Sequence, residues 1–87
     1  MNYLTEMKKL AVGLMEKGIV FTFTTLHDGC QIVVNDPKTR EYKWDAVCHN
    51  FSYGHDEELL EIMGEIVDND YDAVEGWLTA EDILKRL

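Results

Sequence analysis

Cys30, Cys48, His27, His49 and His55 are the side chains whose types could support chemistry beyond packing, and all five fall between positions 27 and 55. Two thiolates with two imidazoles would suit tetrahedral zinc, and Ser52 stands between His49 and His55 as a nucleophile with a base would. The spacing favours neither. There is no CxxC or HxxxH pair to pre-form a metal site, and both cysteines fall on the inward face of predicted strands, where free Cys packs as a small hydrophobe. Ser52 lies in no strand-to-helix elbow, and no Gly-rich oxyanion or phosphate loop occurs anywhere in the chain. Asp68, Asp70 and Asp72 take positions one, three and five of a calcium loop. Ala73 then stands where the turn needs Gly, and Thr79 where a bidentate Glu is needed. Two packed, reduced thiols, a polar link at 68–75, and a non-enzymatic chain with no metal and no cofactor are expected.

The carboxylates are the other unusual feature. The 87 residues carry 17 Asp and Glu against 8 Lys and Arg, for a net charge of −9. Residues 1–26 contribute +1 and residues 27–54 contribute −1, so residues 55–87, with 11 acidic and 2 basic side chains, carry the whole imbalance. Asp56 to Glu75 holds nine carboxylates and no Lys or Arg. Such a surface repels nucleic acid and anionic membrane and attracts basic proteins. No apolar run reaches the length of a membrane span and no signal-peptide pattern opens the chain, so a cytoplasmic protein of a bacterial host cell is expected.

The elements that must position these groups follow from hydrophobic period. Leu4, Met7, Leu10, Ala11 and Leu14 share one helical face and Gly18 sits as a C-terminal cap. "IVFTFTTL" alternates as a strand, "CQIVVND" returns from it, and "EYKWDAVCH" forms a third strand. Centring the first turn on Asp28-Gly29 pairs Phe23 with Val34 and Thr25 with Ile32. Centring the second near Thr39 sets Cys30 opposite Cys48, Ile32 opposite Ala46 and Val34 opposite Trp44.

"DEELLEIMGEIVD" reads as a second helix, with Leu59, Leu60, Met63, Ile66 and Val67 inward and Glu58, Glu61, Glu65 and Asp68 outward. Phe51 and Tyr53 in the loop before it should plug the sheet end. Thr79 as N-cap with Asp82 three residues on, and Leu78 as a staple on Ile83, start a last short helix, whose Trp77, Leu84 and Leu87 should pack inward. The expectation is one α+β domain spanning 1–87, ordered α-β-β-β-α-α, a three-stranded antiparallel meander with helices on one face. Its first five elements have the order of a double-stranded RNA-binding domain, without the basic surface that RNA requires.

The stretches "SYGHDEELLEIMG" and "GWLTAEDILKRL" resemble short uncharacterised proteins of phages and prophages of Gram-positive bacteria. The element order, size and acidic second half resemble Cas9-directed anti-CRISPR inhibitors, which cover a nucleic-acid-reading surface with carboxylates. That resemblance implies a protein that binds a basic partner, such as a nucleic-acid-handling enzyme, as an inhibitor or nucleic-acid mimic. Glu57, Glu58, Glu61, Glu65, Asp68, Asp70, Asp72 and Glu75 are the candidate partner-binding residues. The alternatives are an accessory protein that self-associates, as a homodimer for example, through an apolar interface, and a Cys/His metal-binding module.

Overall fold

A computed structural model describes residues 2–68 and 74–87. Helix α1 spans Thr5–Glu16 and buries Met7, Leu10 and Leu14. It stops where Gly18 takes a left-handed φ of 71°. The amides of Gly18 and Ile19 then bond back to the carbonyls of Met15 (3.1 Å) and Leu14 (2.9 Å), the paired closure that a glycine after a helix permits.

Among the described residues five strands follow: β1 (Thr22–Leu26), β2 (Gly29–Asn35), β3 (Tyr42–Cys48), β4 (Leu60–Gly64) and β5 (Val74–Leu78), before a short helix α2 (Ala80–Leu84). They form one antiparallel sheet in sequence order. The expected three-stranded meander with two helices after it is therefore wrong. "DEELLEIMGEIVD" is no helix: His55–Glu57 makes one 3-10 turn and Leu60–Gly64 is a strand.

The sheet needs that strand. In β3 the five residues from Trp44 to Cys48 are buried on both faces, so a bare outer edge would leave buried backbone groups without partners. β4 supplies them, pairing Trp44 with Gly64, Ala46 with Ile62 and Val47 with Glu61. Leu60 and Ile62 turn inward while Glu61 and Met63 turn out, a period of two that the short stretch satisfies alongside the helical one. β5 then pairs Leu60 with Leu78 and Ile62 with Glu75 across an irregularity.

The first hairpin also turns one residue earlier than expected. Its central residues are His27 and Asp28, both at positive φ (48° and 63°), and Leu26 closes on Gly29. Gly29 is used elsewhere: a Cβ there would lie 2.0 Å from the Cys48 carbonyl oxygen. Pairing therefore sets Phe23 against Ile32 and Thr25 against Cys30. The shift is two residues, so every side chain keeps its face. The second register is as read, with Cys30 opposite Cys48, Ile32 opposite Ala46 and Val34 opposite Trp44.

Those inward residues, with Leu60, Ile62 and Leu78, meet α1 and α2 in one core. Ile32, Leu60, Ile62 and Ile83 are fully buried, each contributing about 1.5 to 3 kcal/mol of transfer free energy. α2 starts as expected: the Thr79 hydroxyl accepts from the Asp82 amide and the Asp82 carboxylate accepts from the Thr79 amide. Leu78 and Ile83 both lie in the core, whereas Trp77 and Leu87 are exposed, against expectation. The Ala80 amide donates to Glu6 Oε1 at 2.9 Å, tying the start of α2 to α1. On the sheet's opposite face Asp45 accepts from the Tyr42 hydroxyl and from Gln31 Nε2. No helix among the described residues is long and apolar enough to cross a membrane.

Candidate functional site

The loop from His49 to Leu59 is built around Ser52, whose hydroxyl donates to the His49 carbonyl at 3.0 Å and accepts from the His49 amide at 2.9 Å. That hydroxyl is engaged with main chain, so Ser52 shapes the loop and is not activated by either imidazole. His49 Nδ1 accepts from the Phe51 amide (3.1 Å), which places any neutral-state proton on Nε2. The His27 ring meets His49 edge-on at 5.1 Å and Phe51 at 5.2 Å.

Burial holds the His49 imidazole below its ordinary 6.5, the adjacent His27 adds to this, and the Glu61 charge opposes it. A base whose folded pKa is depressed stabilises the fold above its unfolded pKa and loses that contribution as the pH falls. The midpoint of thermal unfolding is therefore expected to drop as the pH is lowered below about 6.5, before the carboxylates titrate. His49→Asn keeps an acceptor for the Phe51 amide and cannot titrate. Scanning calorimetry of that variant should show a flatter profile in this window, and an unchanged slope would assign the effect to another group.

Cys30 and Cys48 are free and buried. Desolvation raises both thiols, Cys48 to about 11, so neither is a thiolate at neutral pH. No group of three or more His, Cys, Asp or Glu side chains among the described residues is arranged to hold a metal ion. The Cys/His module is thereby corrected: the cysteines point into the core between sheet and helix, while the His27 and His49 rings meet Phe51 edge-on in the loops beyond it.

The acidic residues do not form a helical stripe. Glu57 is exposed at the end of the 3-10 turn. Glu58 has a left-handed φ of 59° and accepts from the Thr5 hydroxyl at 3.3 Å. Glu61 projects from β4 and accepts from the Tyr53 amide at 3.0 Å. Glu65 lies 3.8 Å from Lys43 Nζ. Asp68 is exposed, its amide donating to Glu75. Glu75 is bound by both terminal nitrogens of Arg86 at 2.8 and 2.5 Å, and that bidentate bond holds its carboxyl below the usual range. Glu75 is thus paired within the fold. Asp70 and Asp72, with the rest of the calcium-loop pattern at 69–73, lie outside the described residues. A cleft of about 400 Å³ beside Trp44 also contains Lys43 and Arg86, and both of these cations already face carboxylates.

Sequence reasoning missed the aromatic residues among these acids. Phe51 and Tyr53 do not plug the sheet end: they are 74% and 56% exposed. Tyr53 stacks on Trp77 with centroids 5.6 Å apart and planes 9° from parallel, and Trp77 is itself 56% exposed. Two glycines allow this approach. A Cβ at Gly76 would come within 2.4 Å of Tyr53 Cβ, and one at Gly54 within 2.9 Å of the Trp77 amide nitrogen. Trp77 holds a left-handed φ of 56° inside the irregular stretch of β5. A bulky residue in that region is an outlier costing about 1 to 3 kcal/mol. The available signal was "FSYG" facing "EGWL", aromatics each beside a glycine. The surface thus runs from Phe51 past the Glu61 carboxylate to the Tyr53–Trp77 stack, with Glu57 on the same loop and His49 buried beneath it. No family model, curated protein or solved structure matches this chain.

Proposed function

We propose that the protein is a non-enzymatic binding module that engages a basic surface of a partner protein through the Tyr53–Trp77 stack and the neighbouring Glu57 and Glu61. The observation that carries this is Trp77, a large ring held half-exposed on a strained backbone within an acidic surface. Arg guanidinium stacks on such faces, and a carboxylate beside the ring pairs with the same group. Trp, Tyr and Arg are also the residues on which interfaces concentrate their energy. The favoured partner is a nucleic-acid-handling enzyme, whose phosphate-binding surface is basic. The protein acts there as an inhibitor of the phage type, covering that surface. A helical ladder of charges mimicking phosphate spacing is not part of the proposal, because the segment that would carry it is a strand.

An arginine-rich peptide is a sufficient probe. Trp44 is buried and Trp77 exposed, so a change in emission on titration reports chiefly on Trp77. Binding is expected to saturate and to weaken with salt. Glu57→Gln with Glu61→Gln is expected to reduce affinity at least tenfold, the lower end of what close interfacial charge pairs contribute, while Glu41→Gln changes it little. Equal affinity for the double variant and the Glu41 control would remove the acids from the site.

A further inference from the structure

The sheet has two outer strands, β1 and β5, and they differ. β5 is irregular, carries Glu75 and Trp77, and leads into α2. β1 is regular, and from Gly18 to Leu26 there is no charged residue. Natural edge strands are usually blunted by Lys, Pro or a bulge, and β1 has none of these. Val20 is 77% and Phe23 41% exposed, and no described residue pairs with the outer side of the strand.

We infer that β1 is a self-pairing edge, on which a second copy of this chain adds its own β1 antiparallel across a two-fold axis at Phe23, making one continuous ten-stranded sheet. The register follows from the hairpin. In a two-residue hairpin the closing pair, here Leu26 and Gly29, exchanges backbone bonds, and such pairs alternate along the ladder. Thr22, Thr24 and Leu26 therefore direct their amides and carbonyls toward β2, and Phe21, Phe23 and Thr25 direct theirs outward. An axis through Phe23 sets Phe23 opposite Phe23 and Phe21 opposite Thr25, so every outward group meets a partner. The same register places Thr22 opposite Thr24 and Val20 opposite Leu26, cross-strand pairs of the favourable kinds.

Two further observations select a second copy as the occupant. Lys17 and Asp28, both exposed, lie beyond opposite ends of the strand, so antiparallel pairing turns the Lys17 end of each copy toward the Asp28 end of the other. A groove of about 510 Å³ beside β1, whose lining includes Leu4, Phe23 and Thr25, gives the second Phe23 ring an apolar seat. The acidic β5 edges lie four strand spacings away, about 19 Å. That exceeds the screening length of about 8 Å at physiological salt, and the dimer places them at its far ends.

Sedimentation velocity of the full chain is expected to show a reversible, concentration-dependent shift from 10.1 kDa to twice that mass. Phe23→Lys sets two like charges face to face on the axis and is expected to abolish the shift, as is Phe23→Glu. Mixing the two variants is expected to restore it, since the pair is then opposite in charge. Amide exchange of the unmodified protein gives a second readout that needs no variant. Phe23 and Thr25 are expected to slow as concentration rises, while Thr22 and Thr24, already bonded to β2, stay constant. A protein monomeric at every concentration, or a dimer unaffected by Phe23→Lys, would overturn the proposal. Failure of the mixture to restore the dimer, or amide slowing confined to other residues, would overturn the axis at Phe23. None of these outcomes bears on the Tyr53–Trp77 surface.

Discussion

Removing residues 76–87 is expected to unfold the whole domain, because that segment contributes core and not a tail. Leu78, Ala80 and Ile83 are buried there, and Leu78 is the strand partner of Leu60. Without it Leu60 is uncovered, α1 loses the helix it packs against, and the Glu75–Arg86 pair disappears. Ile83→Ala isolates one part of this. Its side chain is fully buried, and truncations of this kind cost about 2 to 5 kcal/mol. A domain of this size has only about 5 to 15 kcal/mol in total and sits toward the lower end. Urea denaturation followed by circular dichroism should therefore show Ile83→Ala close to the limit of folding, and the truncated chain without a cooperative transition. If the truncated chain melts with the full one, the last strand and helix are appendages.

The second large effect is one of opposite signs at a single residue. Trp77→Gly relieves the left-handed backbone at position 77, at φ 56°, and loses the stack on Tyr53, so stability is expected to stay level or rise slightly. Binding of a basic partner is expected to fall by about 2 to 4 kcal/mol, roughly 30- to 1,000-fold, as for an aromatic anchor at the centre of an interface. Denaturation and titration with the arginine-rich peptide on the same preparation check both halves. A variant that unfolds would make Trp77 a structural residue, and one that binds normally would move the site elsewhere.

Parts of this fold were legible because local signals and tertiary demand agreed. The Met7, Leu10 and Leu14 stripe, the Gly18 stop, the Cys30–Cys48 register and the Thr79–Asp82 cap each needed only neighbouring residues to be read. The segment from Glu58 to Asp68 was not legible. Glu, Leu and Met are strong helix formers, and the apolar residues at 59, 60, 63, 66 and 67 fit a helix. What overrides them is the exposed edge of β3, a requirement visible only once β3 is known to be buried on both faces. The same limit hides β5, because its partner reads locally as a helix. The acids were legible by type and count but not by arrangement. Burial of one edge of Glu75 against Arg86, and exposure of Trp77, depend on a strand pairing that no local pattern announces.

The bond between Ala80 and Glu6 joins residues 74 positions apart. Each strand pairing in this sheet closes a short loop and can form as soon as its two strands exist, whereas the two helices meet only at the end. Closing a long loop costs entropy that grows slowly with its length, but no part of that contact forms before α2 has been made. On a ribosome, the sheet can therefore assemble strand by strand behind the exit while α1 waits for its partner helix. The contact between α1 and α2 is added only once Ala80 has been made, after both strands of every pairing from β1 to β5 exist.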